Sequence, residues 1–145
     1  MVIIGPPGAG KGTQAKRLAE TLDLVHVSTG EIFRENISCE TELGLRVKKV
    51  LESGSLVSDN LTIELVQDRI NQFAHNQGAI FDGFPRNLKQ AKALEDMLLV
   101  NGDGVDLAPL ISLGNSTVVD RLTGRRTDID TGKIYHLIYD PPPIG

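Results

Sequence analysis

Cysteine, surplus positive charge and long apolar runs are all scarce in this chain. The single cysteine, Cys39, cannot close an internal disulfide, which fits a reducing compartment and sets the expected location as cytoplasmic. It stands alone in a polar stretch and is read as an incidental side chain, not as a reactive thiol. Lysine and arginine number 15 against 19 aspartates and glutamates, a formal charge of −4. Nucleic acid is therefore not an expected partner, because binding a phosphate backbone needs a basic face. No run approaches the roughly 20 apolar residues of a membrane span, so no membrane partner is expected. Met1 to Ile4 lead straight into glycines without a basic n-region or cleavage site, so no secretory signal is expected either. Internal repeats and low-complexity tracts are absent from the sequence, and 145 residues suit one domain that buries roughly two thirds of its unfolded surface.

What is present alternates short β-branched runs with amphipathic stretches. Val2 to Ile4, stopped by Gly5, predicts a buried strand. Ala15, Leu18, Ala19 and Leu22 recur at helical spacing and predict a helix with one apolar face. Leu24 to Val27 reads as a second strand, and Ser28 with Glu31 has capping-box spacing ahead of Ile32 and Phe33. A further helix carries Leu43, Val47, Val50 and Leu51 and stops at Gly54. Ser58 or Asp59 caps the next, whose apolar positions include Leu61, Leu65, Val66, Ile70 and Phe73. Gly78 to Asp82, GAIFD, predicts a third strand ending in an acid; Leu88, Ala91, Leu94, Met97 and Leu98 mark another helix. Val105 to Leu113 holds a fourth strand, and Ser116 starts a short helix with Val119 and Leu122. Beyond Gly124 the charges, a Thr131–Gly132 turn and the alternation from Ile134 to Tyr139 read as a hairpin. Strands alternating with helices imply parallel strands joined by right-handed crossovers, hence a three-layer α/β domain.

The chemistry begins at Gly5 to Thr13, GPPGAGKGT. Gly5, Gly8, Gly10 and Gly12 remove β-carbons where a backbone must wrap around phosphate oxygens. The loop lies between a strand and a helix, so the amides of Gly10 to Thr13 and the positive helix end face the anion. Lys11 adds a charge able to follow a transferring phosphoryl group. One position breaks the general pattern G-x-x-x-x-G-K-[ST], because Gly12 stands where a hydroxyl is usual. Asp82 ends an apolar strand, where an acid can orient magnesium through its water shell. Asp82–Gly83 is also an ordinary tight-turn pair, and it is the nearby phosphate loop that favours the functional reading.

Five blocks taken in order resemble the adenylate kinases among the nucleoside monophosphate kinases. They are GPPGAGKGTQ, STGEIFR (Ser28 to Arg34), DGFPR with Gln90 (Asp82 to Gln90), DRLTGRR (Asp120 to Arg126) and IYH (Ile134 to His136). That family's loop reads GKGT, so the resemblance makes Gly12 part of its own pattern. It implies a P-loop NTPase fold with four of the family's five parallel strands. It also implies a core over 1–27 and 58–123, an AMP-binding segment over 28–57 and a partial lid over 124–145. Gly8, Ala9, Gly10, Lys11, Gly12 and Thr13 would hold the ATP phosphates, with Arg121 and Arg125 engaging ATP and Ile134 and Tyr135 lying near it in the lid. AMP would be held by Thr29, Arg34, the backbone of Ser55, Leu56 and Val57, the stretch Gly83, Phe84, Pro85 and Arg86, and Gln90. This assignment fits elementary chemistry: two arginines fork onto one phosphate, and an amide such as Gln90 offers a base edge both a donor and an acceptor. Catalysis would rest on Lys11, Arg34, Arg86, Arg121 and Arg125, with Asp82 holding Mg²⁺ through water. Some long lids of this family carry zinc on cysteine-like ligands; Thr127 and Asp130 stand in that region here, so a structural zinc is not expected. The resemblance suggests a monomer acting on ATP and AMP. His26, His75, His136 and Arg126 receive no role.

The resemblance runs along the whole chain, which has about two thirds of that family's usual length and stops at DPPPIG within the lid. A partial record of a complete kinase is the favoured reading. A genuine short form would carry an uncovered sheet edge and an open apolar face, with low stability, self-association and little phosphotransfer. Other readings stay open: a non-catalytic nucleotide-binding or interaction fragment, a UMP/CMP-type kinase, or a P-loop hydrolase that consumes ATP without AMP. Thr29 and the long-lid character favour the adenylate type.

Overall fold

The computed structural model describes residues 1–73, 77–128 and 133–143. Its elements in chain order are β1 (Val2–Ile3), α1 (Lys11–Leu22), β2 (Val25–Ser28), α2 (Thr29–Ser38), α3 (Glu42–Glu52), α4 (Asp59–Ile70), β3 (Ala79–Asp82), α5 (Leu88–Leu99), α6 (Asn115–Gly124), β4 (Arg125–Thr127) and β5 (Ile134–His136). β3 is the central strand of a parallel sheet ordered β1-β3-β2, with Val2 and Val27 both opposite Phe81.

Strand side chains alternate between faces, and this parity builds the layers. Val2, Phe81 and Val27 point into a core shared with Ile32 of α2, Val47 of α3, Leu61, Leu65, Val66 and Ile70 of α4, and Leu94 and Met97 of α5. Ile3 and Ile80 point the other way, onto Ala15 and Ala19 of α1. The sheet thus lies between two helical layers and is apolar on both faces, as a parallel sheet must be.

The fourth strand expected over 105–113 is reduced to a single bridge between Ile4 and Leu110. The chain there does run beside β1: Val2 donates to the Leu107 carbonyl at 2.8 Å, Ile4 to that of Pro109 at 2.9 Å, and Ile111 to that of Ile4 at 2.8 Å. In this register the next donor needed, toward the Val2 carbonyl, is the nitrogen of Pro109. It has no hydrogen, so the ladder stops there.

Two local expectations also need correcting. Ser28 is the N-cap of α2 but makes no side-chain cap bond, and Glu31 turns instead toward His26, Oε2 to Nδ1 at 3.5 Å. No capping box forms. α4 ends at Ile70, short of Phe73. The hairpin is present as β4 against antiparallel β5. After His136 the chain turns and bridges back through Asp140, so the strand is shorter than the alternation to Tyr139 implied. The Thr131–Gly132 turn, Asp130 and His75 lie outside the described residues. No helix among the described residues is long and apolar enough to cross a membrane.

Candidate active site

β1 feeds the glycine loop and α1 leaves it, with Gly10 as N-cap. Thr41, Ser58 and Asn87 close the first turns of α3, α4 and α5 with side-chain oxygens, whereas Gly10 has no oxygen to offer. The amides of Lys11, Gly12 and Thr13 find no protein acceptor among the described residues. Open amides at the positive end of a helix form an anion cradle. Lys11 lies back along the loop, its Nζ donating to the Pro6 carbonyl at 3.0 Å. α6 packs over the same loop: the Cβ position of Gly8 is 3.1 Å from Leu122 Cγ, and Arg121 Nη1 donates to the Ala9 carbonyl at 3.4 Å.

Asp82 follows Ile80 by two residues and shares its face of the sheet, the face covered by α1. Its carboxylate therefore meets the first turn of that helix. A Cβ at Gly12 would lie 3.1 Å from Asp82 Oδ2, tighter than ordinary contact and against a charged oxygen. A side chain at position 12 would therefore crowd the Asp82 carboxylate, which would have to give by a few tenths of an ångström.

One residue further on, a second cluster gathers. Gly83 has φ 76, a conformation that L side chains disfavour, and its carbonyl accepts from Thr29 Oγ1 at 3.2 Å and from Arg86 Nε at 2.7 Å. Two side chains assigned to AMP therefore converge on one backbone oxygen. Phe84 is buried beneath them, and the Phe84–Pro85 peptide is cis. Gln90, only 4% exposed, accepts at Oε1 from the Arg86 amide at 2.7 Å and donates from Nε2 to Asp59 Oδ1 at 2.6 Å. Asn87 caps α5 by accepting from the Gln90 amide at 3.0 Å and donates from Nδ2 to the same Asp59 oxygen at 3.0 Å. The hydrogen bonds from Asn87 and then Gln90 hold the Asp59 carboxyl below the usual carboxylate range.

No described hydrogen bond joins the other assigned residues to these two clusters. Arg34 projects from the exposed side of α2, its Nη1 3.4 Å from the Cβ position of Gly30 one turn back. Ser55, Leu56 and Val57 form the loop between α3 and α4, where Leu56 is 94% exposed and Val57 packs on the core. Arg125, Ile134 and Tyr135 sit on the hairpin; Lys133 Nζ stands 4.8 Å above the Tyr135 ring, and no described hydrogen bond joins these residues to the phosphate loop. Ion pairs join Arg46 to Glu64, Arg69 to Glu35 and His26 to Glu31. None engages Lys11, Arg34, Arg86, Arg121 or Arg125, so no carboxylate there competes with a phosphate for them. Asp59 and Asn87 were not foreseen as site residues; the only local sign was an acid following a capping serine, with its partner Gln90 far along the chain.

An uncapped strand–loop–helix cradle with a carboxylate at the end of the adjacent strand defines a P-loop nucleotide-binding domain. The family model described as adenylate kinase matches residues 3–139. The adenylate kinase of Clostridium novyi is 48% identical over 144 residues, covering 99% of this chain and 67% of that protein. Those of Clostridium kluyveri and Agathobacter rectalis are each 44% identical over 144 residues, with 99% of this chain covered and 66% and 67% of theirs. The chain belongs to the adenylate kinase family, and it spans about two thirds of the length of the curated relatives it matches.

Proposed function

We propose that the protein reversibly transfers the terminal phosphoryl group of MgATP to AMP, giving two ADP. One observation carries this reading. The Asp82–Gly83 step at the end of the central strand faces Gly12 on one side, where a Cβ would lie 3.1 Å from Asp82 Oδ2, and bonds Thr29 and Arg86 on the other. Two anion-binding clusters thereby share one strand end, the arrangement needed to pass a phosphoryl group between two nucleotides.

The reaction forms a bond from an AMP phosphate oxygen to the γ-phosphorus and breaks the bond from that phosphorus to the β,γ-bridging oxygen. ADP leaves as the other product. The attacking oxygen is already anionic, so no general base is needed. The protein's part is to align the reactants and neutralise charge. Loop amides from Gly8 to Thr13 and Lys11 hold the triphosphate, Arg121 and Arg125 engage its migrating end, and Arg34 and Arg86 hold the acceptor phosphate. Asp82 suits Mg²⁺: it is a single hard oxygen donor beside the loop, and the described residues offer no cluster of three ligands that would hold an ion without the nucleotide. When bound, the ion supplies charge neutralisation at the phosphates. Segment 28–57 would close over AMP and the β4–β5 strand pair, with Ile134 and Tyr135, over ATP, excluding water that would intercept the phosphoryl group. We assign the protein to the cytoplasm as a monomer without nucleic-acid or membrane partners.

A coupled assay of ADP formation from MgATP, run with and without AMP on the intact protein, tests the reading. ADP should appear only with AMP. ATP consumption that is indifferent to AMP would make the protein a hydrolase and overturn the proposal.

A further inference from the structure

Resting on the reading of Gln90 as the contact to the AMP base, we infer that Asp59 is a specificity-positioning residue that fixes which way the Gln90 amide faces and so selects a 6-amino over a 6-oxo purine. A glutamine amide is pseudo-symmetric: turned over, it exchanges its donor and its acceptor. An adenine edge presents a 6-amino donor beside ring-nitrogen acceptors, and a 6-oxo purine presents the reverse, an oxygen beside an N–H. A freely turning glutamine therefore matches either base, and discrimination requires that one orientation be forbidden.

The network supplies this constraint from both ends of the amide. The Arg86 N–H can only donate, so it demands Oε1 at 2.7 Å. The Asp59 carboxylate, kept ionised by the bonds it receives, can only accept, so it demands the amide nitrogen at 2.6 Å. Turning the amide over would set oxygen against carboxylate oxygen at that separation and face the Arg86 N–H with another donor. Neither is tolerable for a side chain that is 4% exposed. In the observed orientation Oε1 keeps one lone pair for the 6-amino group, and Nε2 keeps one hydrogen for a ring nitrogen. Asn87 steadies the arrangement, because it holds the backbone of Gln90 with Oδ1 and the same Asp59 oxygen with Nδ2. Asp59 opens α4 and Gln90 lies in the first turn of α5, so the selection depends on how two helices are joined and not on either alone.

The test is calorimetric binding of AMP and inosine monophosphate to the intact protein and to Asp59→Ala, Asp59→Ser, Asp59→Asn, Gln90→Ala and the double variant Asp59→Ala/Gln90→Ala. Asp59→Ser keeps a polar residue at the start of α4 but is too short to reach Gln90, and it stands in if Asp59→Ala does not fold. The wild type should favour AMP, and Asp59→Ala or Asp59→Ser should shrink that preference by about tenfold, within the range of a well-made bidentate base contact. Asp59→Asn, which can turn either its oxygen or its amino group toward Gln90, should lose part of the preference. Removing Asp59 should change the ratio no further once Gln90 is alanine, a non-additivity that a role in stability alone does not produce. An AMP-to-inosinate ratio unchanged by Asp59→Ala and Asp59→Ser, or changed equally with and without Gln90, overturns the inference and leaves the proposed function standing. A wild type that binds no AMP removes both.

Discussion

Substituting Gly83 by alanine should separate two costs that are usually confounded. At φ 76 an added methyl first forces a left-handed conformation, at about 1 kcal/mol. It also lands 2.8 Å from Thr29 Oγ1 and 3.3 Å from Arg86 Nη2, so it must displace the side chains that meet at the Gly83 carbonyl. Displacement in a packed site costs about 1–3 kcal/mol, and losing the Thr29 hydrogen bond adds to it. Gly83→Ala should thus lose roughly 2–4 kcal/mol before the lost hydrogen bond is counted. Gly102 provides the control: its φ is 75, and a Cβ there meets nothing within 4 Å. Gly102→Ala should lose only the backbone share, about 1 kcal/mol. Urea denaturation of both variants in the same background measures the difference, and AMP calorimetry should show weakened binding for Gly83→Ala alone. Equal losses at the two positions would refute the argument, because the Thr29–Gly83–Arg86 convergence would then carry no steric demand.

Lys11→Met should abolish phosphotransfer with little change in melting temperature, since Nζ makes one bond to a neutral carbonyl; a coupled assay beside a thermal melt checks both. Gly12→Ala should weaken MgATP binding more than AMP binding, because its Cβ would press on Asp82; titration of each nucleotide separately decides this. For Asp59 the folded-state pKa is depressed, so its stabilising contribution is present above the unfolded value of about 3.9 and is lost as pH falls through the folded value. Wild type should accordingly lose stability more steeply than Asp59→Asn as pH drops below about 4, measured as urea midpoints across an acid series. Leu65→Ala, at a position 1% exposed in the main core, should cost about 2–5 kcal/mol by denaturant unfolding.

Elements whose signals are local were legible in the sequence. β1 and β3 are apolar runs bounded by glycine or an acid, and α1 repeats its alanines at helical spacing so that they meet the sheet. What escaped depends on partners distant along the chain. The Ser28–Glu31 spacing suggested a capping box, but Glu31 answers to His26 on the preceding strand. Gly12 departs from the general pattern, and the Asp82 carboxylate that a side chain there would crowd is distant in the sequence. Asp59 read as a cap candidate, because nothing near it announces Gln90. The fourth strand is shorter than its composition predicts: the apolar run from Val105 to Leu113 has strand composition, and a single proline decides how much of it can pair. Arg34, Arg125 and the stretch 55–57 were assigned from family resemblance, and no described hydrogen bond joins them to the two clusters that the strand ends assemble.

That proline also decides where the sheet gives way. Between β3 and β2 every rung is in place, whereas the flank beyond β1 is fastened at one bridge and its neighbouring bonds. Amide hydrogen exchange should report this as an asymmetry, with Ile111 trading its proton for deuterium well before Ile80 or Phe81. Since β1 is the strand that launches the glycine loop, the less firmly fastened flank of the sheet lies next to that loop, while the fully paired side carries the Asp82–Gly83 step.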